Sequence, residues 1–416
     1  MNRDELRDRT QFLQNKLTIA GLKVSVCMGS PCIATGAKAV LCALQSACGD
    51  LSVHVIGSGC MGPCSRGPLI RIEQDNEAPT YYEGMTPSTA LLAVQAHLNG
   101  SRTEIGRLPA DLPFIARQHR IVLANCGSCD PESLDSALAT GGYAALSRVT
   151  GEMKPEDVCS EISASGLRGR GGAGYSTGTK WDLVRIANSK RKFVVANGDE
   201  GDPGAFMDRT LMESDPHRLL EGMAIAGYAT GAERGFVYVR SEYPLAARRL
   251  RRAISEAEKA GLLGRHLLGS DFSFHIQVRT GAGAFVCGEE TALMASIMGR
   301  RGQPLIRPPF PAQRGLWGCS TLINNVETFG SIAPIILNGA AWFSSIGTPG
   351  NCGAKVFSIS GDIAIVGVLE APLGTTLREL LEMAGGVTGG RFKAAQDRRR
   401  QRRMHSREPP GHAGGL

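Results

Sequence analysis

Cys27 and Cys32 (C-x4-C) precede Cys60 and Cys64 (C-x3-C), and both pairs fall at strand ends beside turns containing Pro31, Gly62 and Pro63. Such turns can present four thiolates on one rim, a ligand set for an iron–sulfur cluster or for tetrahedral zinc. Structural zinc favours tighter C-x2-C knuckles, so the wider gaps fit a [2Fe–2S] cluster better; unrelated buried thiols are the remaining alternative. Cys42 and Cys48 lie in a helical stretch and read as packing residues. Cys126 and Cys129 form a lone C-x2-C, either a redox pair or, with no second pair nearby, two buried thiols. Cys159, Cys287, Cys319 and Cys352 are isolated and lack ligand spacing.

The second constellation is GLRGRGGAGYSTGTKW, residues 166–181, in which Gly169, Gly171 and Gly174 fit G-x-G-x-x-G. A dinucleotide fingerprint needs a strand directly before its glycines. Here PEDVCSEISASGLRG reads as a helix from Pro155, and the strand comes later, in FVVANGDEGDPGAF. The match is therefore formal. Glycines at this density still let backbone N–H groups approach a flat ring or a phosphate, and Arg170 and Lys180 add positive charge. A mobile surface loop is the alternative for the stretch alone.

Three further stretches weigh against that alternative. Asp199, Glu200 and Asp202 crowd a strand end, Glu289 and Glu290 follow the Gly-rich GAGAFVCG, and INNVETF offers Asn324, Asn325 and Thr328. Carboxylates without histidines fit hydrogen bonding to ribityl, ribose or nicotinamide groups better than divalent-metal catalysis; a solvated acidic rim is the bland alternative.

The elements that must position these groups follow from periodicity. Residues 1–20 read as a short polar helix. Residues 21–100 read as strand LKVSVC, a helix from about Ala37, strands SVHVIGSGC and PLIRIEQ, and a helix from Pro87 to Leu98. That β-α-β-β-α order suits a thioredoxin-like sheet. A linker, SRTEIGRLPADLPF, follows. From about Gln118, strands (IVLANC, KFVVANG, GFVYVR, FHIQV) alternate with helical stretches, as in an α/β sheet with covering helices. VFSISGDIAIVGVLEAPLGTTLRELLEMAGG predicts two strands and a capped amphipathic helix, a small β-grasp-like module.

The formal charge is +7. Eight basic residues between Arg391 and Glu408, against Asp397 and Glu408, supply nearly all of it, and this tail has no apolar periodicity. It reads as disordered. The body lacks a basic face, which excludes a nucleic-acid binder. No run approaches the ~18 apolar residues of a membrane span. The charged start, MNRDELRDRTQFLQNKL, carries no apolar leader region, so a cytoplasmic protein is expected.

GLRGRGGAGYSTGTKW, NGDEGDPGAF, CGEETAL, RPPFPAQRGLW and INNVETF, in this order, resemble the FMN- and NADH-binding (51 kDa) subunit of respiratory complex I. They resemble equally the diaphorase subunits of NAD-linked hydrogenases and formate dehydrogenases. The four cysteines on their small fold resemble thioredoxin-like [2Fe–2S] ferredoxins. The fused order, and Gly201-Asp202 where complex I subunits usually carry Ser-Glu, bring the chain nearest to the β subunit of molybdenum-containing, NAD-dependent formate dehydrogenase.

The implied architecture is α/β. It comprises an N-terminal helix (1–20), a thioredoxin-like [2Fe–2S] domain (21–100), a complex I flavoprotein-type FMN/NADH domain (118–340), an incomplete, SLBB-like β-grasp module (352–390) and a disordered basic tail (391–416). The resemblance implies FMN held by the backbone of Gly169, Arg170, Gly171, Gly172, Ala173 and Gly174 together with Lys180. Asn197, Asp199, Glu200, Gly288, Asn324, Asn325 and Thr328 complete that pocket. Tyr175, Asp202, Glu289, Glu290 and Phe310 would face NAD, with Tyr175 standing where the family usually has Phe. Cys27, Cys32, Cys60 and Cys64 would hold the [2Fe–2S] cluster. Hydride transfer is the work of the cofactors, so no catalytic side chain is implied.

The implied partners are a molybdopterin α subunit and a small [2Fe–2S] subunit of formate dehydrogenase, or hydrogenase or complex I subunits, without direct membrane insertion. The family's helical bundle with [4Fe–4S] ligands has no counterpart, since no cysteine follows Cys352. The tail then reads as aberrant or out-of-frame sequence that leaves a truncated subunit, and a non-catalytic cofactor-binding protein is the alternative function.

Overall fold

The computed structural model describes residues 1–18, 21–49, 53–74, 77–397 and 403–406. Helix α1 (Arg3–Thr18) is polar and turns Leu6 fully into the main core, with Leu13 packed partly buried against it. The next unit runs β1 (Leu22–Cys27), α2 (Ser30–Ala34), α3 (Ala37–Cys48), β2 (Val53–Ser58), β3 (Ile70–Gln74), β4 (Thr80–Tyr82) and α4 (Pro87–Leu98). Its sheet order is β2-β1-β3-β4, with β1 and β2 parallel and the other pairs antiparallel. Val24 and Val26 pack with Val40 and Leu44, which stand one helical turn apart on α3. Thr86 opens α4 through a capping box. The sequence reading missed α2 and β4, both too short to show a period.

Helices α5 (Pro113–Ala116), α6 (Leu134–Ala139), α7 (Ala144–Glu152), α8 (Pro155–Ala164) and α9 (Thr177–Ile186) lead into β5 (Lys192–Gly198). After it come α10 (Met207–Ser214), α11 (Pro216–Thr230), β6 (Arg234–Arg240), α12 (Pro244–Lys259), β7 (His275–Gly281), α13 (Glu290–Ile297) and β8 (Ser320–Asn325). This second sheet is wholly parallel, in the order β7-β6-β5-β8. Buried on both faces, β5, β6 and β8 carry nearly continuous buried runs such as FVVA, whereas the edge strand β7 alternates buried and exposed residues. Helix α11 is almost entirely buried, and a Cβ on its Gly222 would lie 2.1 Å from the Phe329 carbonyl oxygen. Only glycine permits that approach. The chain winds outward from β5 through β6 and β7, then returns to the other side of β5 as β8. In an open parallel sheet such a reversal marks the ligand crevice, here beyond the carboxyl ends of β5 and β8.

Helices α14 (Val326–Gly330), α15 (Ile332–Asn338) and α16 (Ala340–Ser344) follow. The hairpin β9 (Gly347–Thr348) and β10 (Asn351–Cys352) precedes the antiparallel pair β11 (Ala354–Ile359) and β12 (Gly367–Pro372), then α17 (Leu377–Met383). No helix among the described residues is long and apolar enough to cross a membrane.

Two expectations are corrected. IVLANC is not a strand: residues 121–126 form turns. The apolar side chains of Ile121, Val122 and Leu123 are buried as a strand's would be. Their N–H groups instead donate to the carboxylate of Glu370, a fully buried residue on β12, at 2.9, 3.0 and 2.9 Å. A carboxylate here replaces a neighbouring strand. The tail expected to be disordered contains a short ladder, β13 (Ala394–Asp397) antiparallel to β14 (Arg403–Ser406). Such a ladder needs only backbone bonds, which composition does not forbid; residues 398–402 and 407–416 lie outside the described residues.

Candidate functional site

The glycine stretch lies at the crevice and is closed like a hairpin. Gly169 N–H donates to Tyr175 O at 2.9 Å and Thr177 N–H to Leu167 O at 3.0 Å. Ser176 then caps α9, accepting from Thr179 N. At the tip, Gly172 has φ +103° and a Cβ there would meet nothing within 4 Å. The loop is thus a rimmed opening, left-handed where only glycine is comfortable. Its base is pinned: Arg170 N–H donates to Thr328 Oγ1 at 2.9 Å, and the buried Arg170 guanidinium donates to Cys352 O at 2.7 Å.

The strand ends supply the floor. Ala196 and Asn197 on β5 stand in register with Asn324 and Asn325 on β8. Asn197 Nδ2 donates to Gly288 O at 3.0 Å, tying β5 to the turn after β7. Asn324, with its amide oriented to satisfy both neighbours, donates to Ile323 O at 2.8 Å and accepts from Trp181 Nε1 at 3.2 Å. Asn325 donates to Asp208 Oδ2 at 2.6 Å and accepts from Glu327 N at 2.9 Å. Lys180 Nζ donates to Glu290 Oε1 at 2.8 Å and to Ile323 O at 2.9 Å.

Two adjacent carboxylates diverge. Glu200 accepts from the N–H groups of Met207, Asp208 and Arg209 at 2.8, 3.2 and 3.1 Å, so it caps α10 rather than facing the crevice. Asp199 has both carboxylate oxygens buried and unpartnered. Burial pushes its pKa up to about 6, against the pull of the Arg240 guanidinium. A Cβ on Gly288 would lie 3.6 Å from Asp199 Oδ2, so a glycine turn opens directly onto this carboxylate.

The outer rim is aromatic and charged. Tyr175 and Phe310 are 49% and 53% exposed. Glu289 caps α13 through Thr291 N (2.9 Å) and Ala292 N (3.0 Å), and Arg307 lies 3.7 Å from Glu289 and 3.5 Å from Glu290. Asp202 sits in the turn after β5, its carbonyl accepting from Ala205 N at 3.1 Å. Exposed Phe285 covers Gly201, where a Cβ would lie 2.8 Å from its ring.

The four cysteines converge on one face of the small sheet. Cys60 Sγ and Cys64 Sγ are 3.7 Å apart, and the Cys27 thiol meets both Cys32 and Cys60. Contact with Cys60, and then burial, push the Cys64 thiol up. Crowded neutral thiols of this kind ionise when a cation takes their charge. Among the described residues no three His, Cys, Asp or Glu close on a single metal ion. A two-iron cluster asks for a different arrangement, four thiolates shared between two irons.

Residues 162–334 match the family model for the Nuo51 FMN-binding domain. NADP-reducing hydrogenase subunit HndC of Solidesulfovibrio fructosivorans is 52% identical over 67% of this chain and 57% of that protein. An NADH-quinone oxidoreductase subunit of Rhizobium meliloti (strain 1021) is 47% identical over 65% of each. Residues 162–334 thus belong to the 51 kDa flavoprotein family of complex I. The match spans less than two thirds of the length of either relative. The crystal structure of an NAD+-reducing [NiFe]-hydrogenase in its H2-reduced state superposes with a TM-score of 0.59 and 29% identity, over 90% of this chain and 62% of that one.

For a 51 kDa-type flavoprotein, the donor set fits FMN: an open glycine loop lies against the end of β8, and an unpartnered carboxylate, Asp199, follows the adjacent end of β5. Sequence reasoning missed β8, Glu370 and the group formed by the buried Asp208 and Glu327 with the partly buried Lys355. Only the asparagine pair of INNVETF pointed to β8. Nothing local signalled the others, whose partners are remote in sequence.

Proposed function

We propose that the chain is an NADH dehydrogenase (diaphorase) subunit that passes electrons between NAD(H), FMN and iron–sulfur centres. The observation that carries this reading is the crevice itself, where the glycine loop lies against Asn325 at the end of β8 and the Gly288 turn lies against the unpartnered Asp199 at the end of β5. FMN, when bound, accepts a hydride and exchanges single electrons. This chain's residues bind and orient. In the Gly169–Gly174 loop the N–H groups of Gly169 and Arg170 fix the base, so Gly171, Gly172 and Gly174 would offer theirs to the flavin, and Asp199 would accept from ribityl hydroxyls. Lys180 and Asn197 hold the walls in register, while Tyr175 and Phe310 offer aromatic faces to the nicotinamide nucleotide. Glu289, Glu290 and Asp202 lie along the same rim. Glu200, Asn324, Asn325 and Thr328 act one step back, by fixing α10, β8 and the loop base. No side chain is asked to act as general acid or base.

Residues 21–100 form the [2Fe–2S] domain in this reading, of thioredoxin-like type, supported by the β2-β1-β3-β4 order and the converging Cys27, Cys32, Cys60 and Cys64. The host complex is a formate dehydrogenase, supported by the fused domain order and Gly201-Asp202. A hydrogenase diaphorase is the second reading, favoured by the HndC-like identity and by the hydrogenase structure's coverage of nearly the whole chain. Purified protein should be yellow-brown, release FMN on denaturation and reduce ferricyanide with NADH. A colourless preparation without flavin overturns the proposal. Formate-driven against hydrogen-driven NAD+ reduction by the isolated complex separates the two hosts.

A further inference from the structure

The short helix α10 joins the two centres. Its N-terminus rests on Glu200, next to Asp199 in the crevice. Its last two residues grip the cysteine loops, one each. Glu213, 2% exposed, accepts from Ser30 N at 3.0 Å and from Ser30 Oγ at 2.7 Å, within the Cys27–Cys32 loop. Ser214 Oγ accepts from Cys60 N at 2.8 Å. The approach is tight: a Cβ on Gly59 would lie 2.4 Å from Ser214 Cβ. One turn back, Arg209 Nε lies 4.0 Å from Glu213 Oε1, its guanidinium 5.5 Å from the Tyr243 ring centre. Arg249 Nη1 anchors the same end by donating to Glu213 O at 2.6 Å. Eight residues of helix span about 12 Å. The fold thus sets a fixed separation between the crevice and the thiols.

We propose that Glu213 and Arg209 are positioning residues that set the reduction potential of the [2Fe–2S] cluster with opposite signs. This rests on the reading of Cys27, Cys32, Cys60 and Cys64 as cluster ligands. Reduction adds one negative charge to the cluster. A buried carboxylate hydrogen-bonded to one ligand loop opposes that charge, and a guanidinium one turn back on the same helix favours it. Glu213 therefore lowers the potential and Arg209 raises it. Glu213 acts from a buried contact where screening is weak, and Arg209, 24% exposed, acts from its edge.

The test is a mediated dithionite titration of the full chain, followed by low-temperature EPR of the reduced cluster. At a fixed potential near the wild-type midpoint, E213Q should raise the reduced-to-oxidised ratio at least threefold, and R209Q should lower it by a similar factor. A loosened contact would move both variants in one direction. Iron content and flavin content report folding for each variant. If E213Q fails to fold, R209Q carries the test. Intact clusters with unshifted midpoints in all variants overturn the inference. A wild-type chain with iron and EPR signal absent instead overturns the cluster assignment on which it stands.

Discussion

Asp199→Asn should make the flavin-free protein more stable and the flavin-bound protein weaker at holding its ligand. The carboxylate is buried without a partner, and burial lifts its pKa from 3.8 to about 6. A rise of that size corresponds to at most about 3 kcal/mol of ionisation penalty. The side chain is not wholly buried, which reduces the figure to roughly 1–2 kcal/mol. The sign follows from linkage. With the folded value above the unfolded one, the folded state binds this proton more tightly, so the stabilisation is fully present below about pH 4 and is lost as pH rises through about 6. At pH 8 the flavin-free protein carries the whole penalty, and the amide removes it.

The same substitution replaces a charged acceptor by a neutral one at the ribityl chain. Charge-assisted hydrogen bonds contribute about 1.5–3 kcal/mol against about 1 for neutral ones. A loss of ~1–2 kcal/mol weakens FMN binding roughly 5- to 30-fold. Urea unfolding of the flavin-free protein at pH 5 and pH 8 reads the first effect. Quenching of FMN fluorescence on titration reads the second. The expected signature is a higher urea midpoint at pH 8, about half that gain at pH 5, and a weaker Kd. A lower midpoint at pH 8, or an unchanged Kd, would refute the assignment of Asp199 as a flavin acceptor held in readiness.

Glu370→Ala leaves three buried N–H groups without an acceptor, so at ~1–3 kcal/mol for each it should cost about 3 kcal/mol or more of stability, seen as a falling urea midpoint. An unchanged midpoint would show that residues 121–123 find other partners. Thr328→Val keeps the volume but removes the acceptor of Arg170 N–H; FMN affinity should fall about tenfold with the circular dichroism spectrum retained. Cys60→Ser should abolish the visible [2Fe–2S] absorption while bound FMN persists, and a variant that keeps its iron would exclude Cys60 as a ligand.

The parts legible in the sequence are those whose cause is local. The helix from Pro155 that displaces the dinucleotide reading shows its own start signal and 3.6-residue period, and α8 begins at Pro155. KFVVANG, bounded by charge and glycine, is β5. The parts that stayed hidden are set by remote partners. IVLANC has a strand's composition, yet its N–H groups go to a carboxylate almost 250 positions later. Glu200 and Asp199 are equivalent as sequence, and only the fold gives one to α10 and leaves the other open. TLINN becomes a strand because β5 lies beside it, a pairing that no window of local residues contains.

That divergence at Asp199 and Glu200 has a mechanical consequence. Consecutive residues at a strand end point to opposite sides. One carboxylate therefore faces the crevice while its neighbour holds the N-terminal N–H groups of α10, and the far end of α10 holds both cysteine loops. The end of β5 is the shared anchor of both. A displacement of this strand end, by a bulky side chain at Gly198 for example, where a Cβ would lie 2.8 Å from Tyr238 O, would shift Asp199 and α10 together. Flavin affinity and cluster environment should then change in one variant, whereas Asp199→Asn should change the flavin alone and E213Q the cluster alone. Geometry is coupled through the helix; charge at each end is not.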